Sequence, residues 1–88
     1  MAAGKAAQKL LERMKASQGG WTPGDFSALY EGFGFQKKEG GNHTLYYHPR
    51  YADIRATVPR HRKLKNCYAR EAVKIIQMLI DRESGVKP

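Results

Sequence analysis

An α+β domain with elements in the order α-α-β-β-β-α is expected from three features of this 88-residue chain. Apolar residues recur at three- and four-residue steps in segments 5–17, 22–33 and 69–80. Between the second and third of these, residues 35–58 carry short alternating runs punctuated by Gly and Pro. The length suits one domain, 1–88, with a small core. A hydrophobic fraction of 41% is too high for disorder to be the default. The arrangement these features favour is a three-stranded antiparallel sheet with helices packed over one face.

In the first segment, KAAQKLLERMKAS, Ala7, Leu10, Leu11 and Met14 fall on one helical stripe, and Gly19 and Gly20 end the helix. The second helix has a defined start. Thr22 caps, Pro23 takes the first helical position, and Asp25 stands three residues beyond Thr22, as in a capping box. Phe26, Leu29, Tyr30 and Phe33 form its apolar face, and Gly32 and Gly34 bracket its end. The first strand is expected around Phe35 to Lys38, with a turn over Glu39 to Gly41. The second runs from His43 to His48, where Pro49 stops it, and the third lies near Ile54 to Val58, closed by Pro59. In the second strand His43, Leu45 and Tyr47 share one face and Thr44, Tyr46 and His48 the other. Both faces carry apolar bulk, so alternation leaves the buried one open. In the third strand Ile54, Ala56 and Val58 oppose Arg55 and Thr57, which fits a sheet with one covered and one presented face. Ala69, Ala72, Val73, Ile76, Leu79 and Ile80 then repeat as a helix, with Asn66 as its expected cap.

The net charge is +8, from 16 basic and 8 acidic residues, and it is unevenly placed. Residues 36–70 hold nine Lys or Arg against Glu39 and Asp53, while residues 71–88 are neutral. Such a concentrated field favours a polyanionic partner: RNA, DNA or an acidic protein. Cys67 is the only cysteine, which excludes an internal disulfide and disfavours a thiolate metal cluster. No long apolar run suggests a signal peptide or membrane span, so a cytoplasmic location is the expectation and no membrane partner is.

Three histidines are the candidates for chemistry. His43 follows the Gly40-Gly41 turn, where glycine allows close approach of a backbone. Histidine titrates near pH 6.5, and a positioned base contributes roughly 10²- to 10⁴-fold to a rate. It would serve RNA breakage by the adjacent 2′-hydroxyl, with fixed cations steadying the phosphate oxygens. The same residue also reads as a polar start to a strand. Lys37, Lys38, Arg60, Arg62, Lys63 and Lys65 can supply phosphate contacts, and His61 a contact or a proton. His48, at a strand end before Pro49, reads as structural. The histidine separations match no compact metal motif, and no metal or other cofactor is expected. Tyr46, Tyr47 and Tyr51 leave base stacking open. A noncatalytic RNA-binding module or an adaptor for an acidic protein would use the same basic segment.

The stretch GFGFQKKEGGNHTLYYHP, followed by IRATVPRHRKLK and an apolar helix, resembles the HicA (YcfA-like) family of bacterial toxins. The likeness covers roughly Gly20 to Ile80. It rests on the Gly-Phe before the first strand, a Gly-Ser-His-like turn, a His-Pro strand end and a Val-Pro-x-His segment. The resemblance implies a fold related to double-stranded-RNA-binding domains and a messenger-RNA endoribonuclease. It also implies a HicB-like antitoxin as protein partner. The family's catalytic histidine, in the turn before the second strand, matches His43, and the glycine before it matches Gly41. Asn42 stands where serine is common, and Thr44 where a second histidine is frequent. The helix over Lys5 to Ser17 lies outside the shortest family members.

Overall fold

A computed structural model describes residues 4–60 and 64–85. Its elements are α1 (Lys5–Ala16), α2 (Pro23–Gly32), β1 (Gln36–Gly40), β2 (His43–His48), β3 (Tyr51–Pro59) and α3 (Asn66–Glu83). The strands form one antiparallel sheet in the order β1-β2-β3. The helices α2 and α3 pack on the sheet, and α1 packs on α2 and α3. The α+β architecture and its element order agree with the alternation of periodicities along the chain.

Local chemistry explains most boundaries. Both halves of the capping box at the start of α2 form: the Thr22 hydroxyl accepts from the Asp25 N–H at 3.2 Å, and the Thr22 N–H donates to Asp25 Oδ2 at 2.9 Å. Gly34, at φ 92°, turns the chain out of α2. The Phe35 N–H then donates to the Tyr30 carbonyl at 3.0 Å. That bond closes the helix end, and β1 begins one residue later than the apolar pattern suggests, at Gln36. It also runs past Lys38 to Gly40, because Glu39 and Gly40 pair with Thr44 and His43, so the turn is Gly41–Asn42 and not Glu39 to Gly41. In contrast, β3 is longer than expected at both ends, because the β2 ladder carries on to His48↔Tyr51 and His43↔Pro59. An edge strand tolerates Pro59, which lacks an N–H to donate. A bulge between Tyr47 and His48 absorbs the change in register. The last helix starts at Asn66 itself, so Lys65 holds the cap position expected for Asn66 and makes no side-chain cap bond.

One core lies between the sheet and the helices. Tyr30, Phe26, Met14, Leu29, Ile54, Ile76 and Leu79 are its largest fully buried side chains. Burial of side chains of this size is worth about 1.5–3 kcal/mol each. Tyr30 stacks on Tyr46 with ring centroids 4.7 Å apart and meets Phe35 edge-on at 5.1 Å. No helix among the described residues is long and apolar enough to cross a membrane.

Candidate nucleic-acid interface

The register of the sheet decides which side chains meet. Directly opposed residues share a face, and neighbours along a strand alternate. Thr44, Tyr46 and His48 of β2 are buried with Ile54, Ala56 and Val58 of β3, so this face lies under the helices. The other face is assembled from three rows: Gly40–His43–Pro59, Lys38–Leu45–Thr57 and Gln36–Tyr47–Arg55. No acidic residue occupies a position in these rows. His43, Lys38, Arg55, Gln36 and Thr57 are exposed, and Leu45 and Tyr47 are half-buried.

His43 opens this face at the hairpin end. Gly41 and Asn42 form a two-residue loop, and Gly41 takes φ 53°, the left-handed conformation that a tight hairpin requires of its first residue. Gly40 stands directly opposite His43, and a Cβ placed there would meet nothing within 4 Å. On this side of the imidazole the space is therefore open among the described residues, whereas Pro59, its partner on the other side, is buried. Lys38 and Thr57 are the diagonal cross-strand neighbours of His43, about 7–8 Å away at the backbone. Among the described residues, His43, Lys38 and Arg55 make no hydrogen bond or ion pair through their side chains. These three side chains are exposed on the open face.

Arg60 braces the turn. Its N–H donates to the Asn42 carbonyl at 2.8 Å, Nη1 donates to the Gly41 carbonyl at 3.1 Å, and Nη2 lies 3.3 Å from Glu39 Oε1. It sits next to Pro59, opposite His43, but part of its guanidinium is committed to holding the hairpin. Lys37 is placed differently from Lys38. It lies on the helix-side parity of β1, 3.5 Å from Glu31 Oε2 and 4.0 Å from Glu39 Oε2. The Ser27 hydroxyl donates to Glu31, and together with Lys37 it holds the Glu31 carboxyl below the usual carboxylate range. Adjacent lysines in sequence thus point to opposite sides of the sheet, and Lys37 does not share a face with His43. Lys65 is exposed at the start of α3. His61, Arg62 and Lys63 lie outside the described residues.

His48 has a structural environment. It is buried at 5% exposure, edge-on to Phe35 at 5.3 Å and beside Tyr51 at 5.2 Å. Nδ1 accepts from the Arg50 N–H at 3.2 Å, which requires that nitrogen to be unprotonated. Burial, the largest influence, pushes its pKa below the ordinary histidine value, against the pull of Glu83. One sheet face thus holds a buried histidine and the other an exposed one.

The alternation in β3 separates Arg55 and Thr57 from Ile54, Ala56 and Val58. Only the pairing Tyr47↔Arg55 and Leu45↔Thr57 puts them on the face of His43. Sequence alone does not single out Arg55, because it lies outside the RHRKLK run. The three candidate stacking tyrosines also part company. Tyr46 is core, and Tyr51 packs under the Arg82 guanidinium, 5.4 Å from its centroid, leaving Tyr47 on the open face.

Elsewhere, a trough of about 1060 Å³ runs between α1 and α3, lined by Leu11, Phe33 and Ile80 with Lys9, Arg13 and Glu83 on its rim. It lies in the helical layer and contains none of the histidines. No three His, Cys, Asp or Glu side chains among the described residues gather into a group able to hold a metal ion. Comparison with known proteins finds no matching family, no matching curated protein and no matching solved structure.

Proposed function

We propose that this chain is a HicA-like toxin endoribonuclease that cuts messenger RNA in the cytoplasm, with His43 as its acid–base residue. One observation carries the reading. An exposed imidazole with no side-chain partner among the described residues stands at the end of a helix-free face whose paired rows carry Lys38 and Arg55 and no acidic residue, with open space opposite it at Gly40. His43 accepts the proton of a ribose 2′-hydroxyl as that oxygen attacks the adjacent phosphorus. The bond from phosphorus to the 5′-oxygen breaks, leaving a 2′,3′-cyclic phosphate and a 5′-hydroxyl, whose proton comes from water or His61. Lys38 stands near enough to steady the charged phosphate oxygens, a task that needs fixed cations rather than a metal. An antitoxin of the HicB type would inhibit by covering this face, and acidic groups would suit it.

The test is incubation of purified protein with end-labelled RNA in EDTA, beside His43→Ala checked for an unchanged fold. Cleavage should fall by about 10²-fold or more in the variant, and a deoxyribose at the cut position should abolish it. Undiminished cutting by His43→Ala removes His43 from the chemistry. A second reading, a noncatalytic RNA-binding module, draws on the same cationic face; intact RNA with salt-sensitive binding to wild-type protein selects it.

A further inference from the structure

We infer that the helix-free face binds unpaired RNA, with Tyr47 as a stacking platform for one base and Arg55 as the phosphate contact beside it. The identity of the polymer rests on the ribonuclease reading; the stacking claim can be tested apart from cleavage.

The chain has five tyrosines, and four are used by the fold. Tyr30 and Tyr46 stack in the core, Tyr51 packs against His48 beneath Arg82, and Tyr68 packs against the core cluster. Among the described residues, Tyr47 is not one of those packed against the core cluster. It is half-buried and, among the described residues, makes no hydrogen bond, ring contact or ion pair. Its cross-strand neighbours are Gln36 on one side and Arg55 on the other. An aromatic ring flanked by an amide and a guanidinium that has no partner among the described residues offers a base a π-face, a polar edge contact and a cation for its phosphate.

The dimensions suit a strand that runs along β2. Tyr47 is four residues from His43, or about 13 Å along the strand, the rise of about four stacked nucleotides. Lys38 and Thr57 form the row between them. Three consecutive rows therefore present an imidazole, an ammonium and an aromatic–guanidinium pair in line. In a duplex the bases are stacked on one another, and none offers a free face to Tyr47. RNA helices are instead read through 2′-hydroxyls and phosphates across the minor groove. A half-buried ring at the middle of the row is wasted on that geometry and useful for an unpaired base.

The experiment uses His43→Ala protein, so that the RNA stays whole. Fluorescence anisotropy compares a labelled single-stranded RNA, the same sequence as a blunt duplex, and a single strand of equal length with abasic positions. The intact single strand should bind more tightly than either of the others. Adding Tyr47→Leu should weaken single-strand binding about 5- to 140-fold, while Tyr47→Phe, which keeps the ring, should hold close to the parent. Adding Arg55→Ala should lower the slope of log affinity against log salt by about 0.7. Equal affinity for duplex and single strand, or for abasic and intact strands, overturns the inference without calling on any variant that might unfold. So does a folded Tyr47→Leu protein with undiminished affinity. If wild-type protein fails to cut yet Tyr47 dependence persists, the nuclease reading falls and the subsite stands. If it cuts without preferring single strands, the reverse holds.

Discussion

A close approach between two helices makes Gly32→Ala a sharp probe of how α1 is seated. Gly32 is the last residue of α2, and a Cβ placed on it would lie 2.4 Å from the Ala7 Cβ of α1. Carbon atoms settle at about 3.5–4.0 Å, so one helix must retreat by about 1.1–1.6 Å. The Ala7 methyl cannot rotate away, because it is fixed to the backbone of a helix whose Ala7, Leu11 and Met14 are buried. Overpacking of this kind costs about 1–3 kcal/mol. The lost glycine freedom in the unfolded chain returns about 0.4–1 kcal/mol. A net loss of about 1–2 kcal/mol is expected. For a domain of this size that is a fall of about 4–16 °C in melting temperature.

Ala7→Gly removes the obstructing methyl, leaving the Ala7 Cα at an ordinary 3.6 Å from the new Cβ. Alone it should cost about 1 kcal/mol through helix propensity. Urea unfolding of the two single variants and the double variant gives the coupling. The double should be more stable than the sum of the singles predicts by about 1–3 kcal/mol. Effects that add within about 0.5 kcal/mol would refute the packing of α1 on α2 at this point. A lowered m-value in Gly32→Ala would show α1 leaving its seat before the rest unfolds. RNA binding by the folded fraction should be unaffected, because α1 packs on the helices and not on the face of His43.

Two further outcomes follow from the sheet. Burial holds the His48 pKa below its unfolded value, so the unfolded chain takes up the proton first. Stability should therefore be complete above about pH 6.5 and fall as pH drops through that value toward the folded pKa. Melting temperatures between pH 7 and 5 check this, ahead of carboxylate titration. His48→Gln should flatten the slope, and an unchanged slope would assign it to other groups. Gly40→Val adds a branched side chain into the open space opposite His43. It should leave the melting temperature within a few degrees while strongly reducing RNA cleavage. Full activity would mean that substrate reaches His43 from elsewhere.

Elements governed by neighbours in the chain are legible in the amino-acid sequence. The capping box at Thr22, the helical stripe of α1 and the His43–His48 strand each depend on contacts within a few residues. The boundaries that differ from expectation are those where long-range bonds compete with local preference. Phe35 gives its N–H to α2 instead of the ladder, and β3 extends because β2 offers it partners.

Which face of β2 is covered lies beyond the reach of sequence. Leu45 and Tyr47 on one side balance Tyr46 and His48 on the other, so burial energy alone barely discriminates between them. The choice is made by pairing Tyr46 with Ala56 and Thr44 with Val58, and by the Tyr30 ring that covers Tyr46. That register turns His43 outward and His48 inward, separates Lys38 from Lys37, and brings Arg55 beside Tyr47. A shift of one residue would exchange every one of these assignments, because strand side chains alternate with period two. Charge and motif are properties of the chain, whereas the company each side chain keeps is set by strands that meet only on folding.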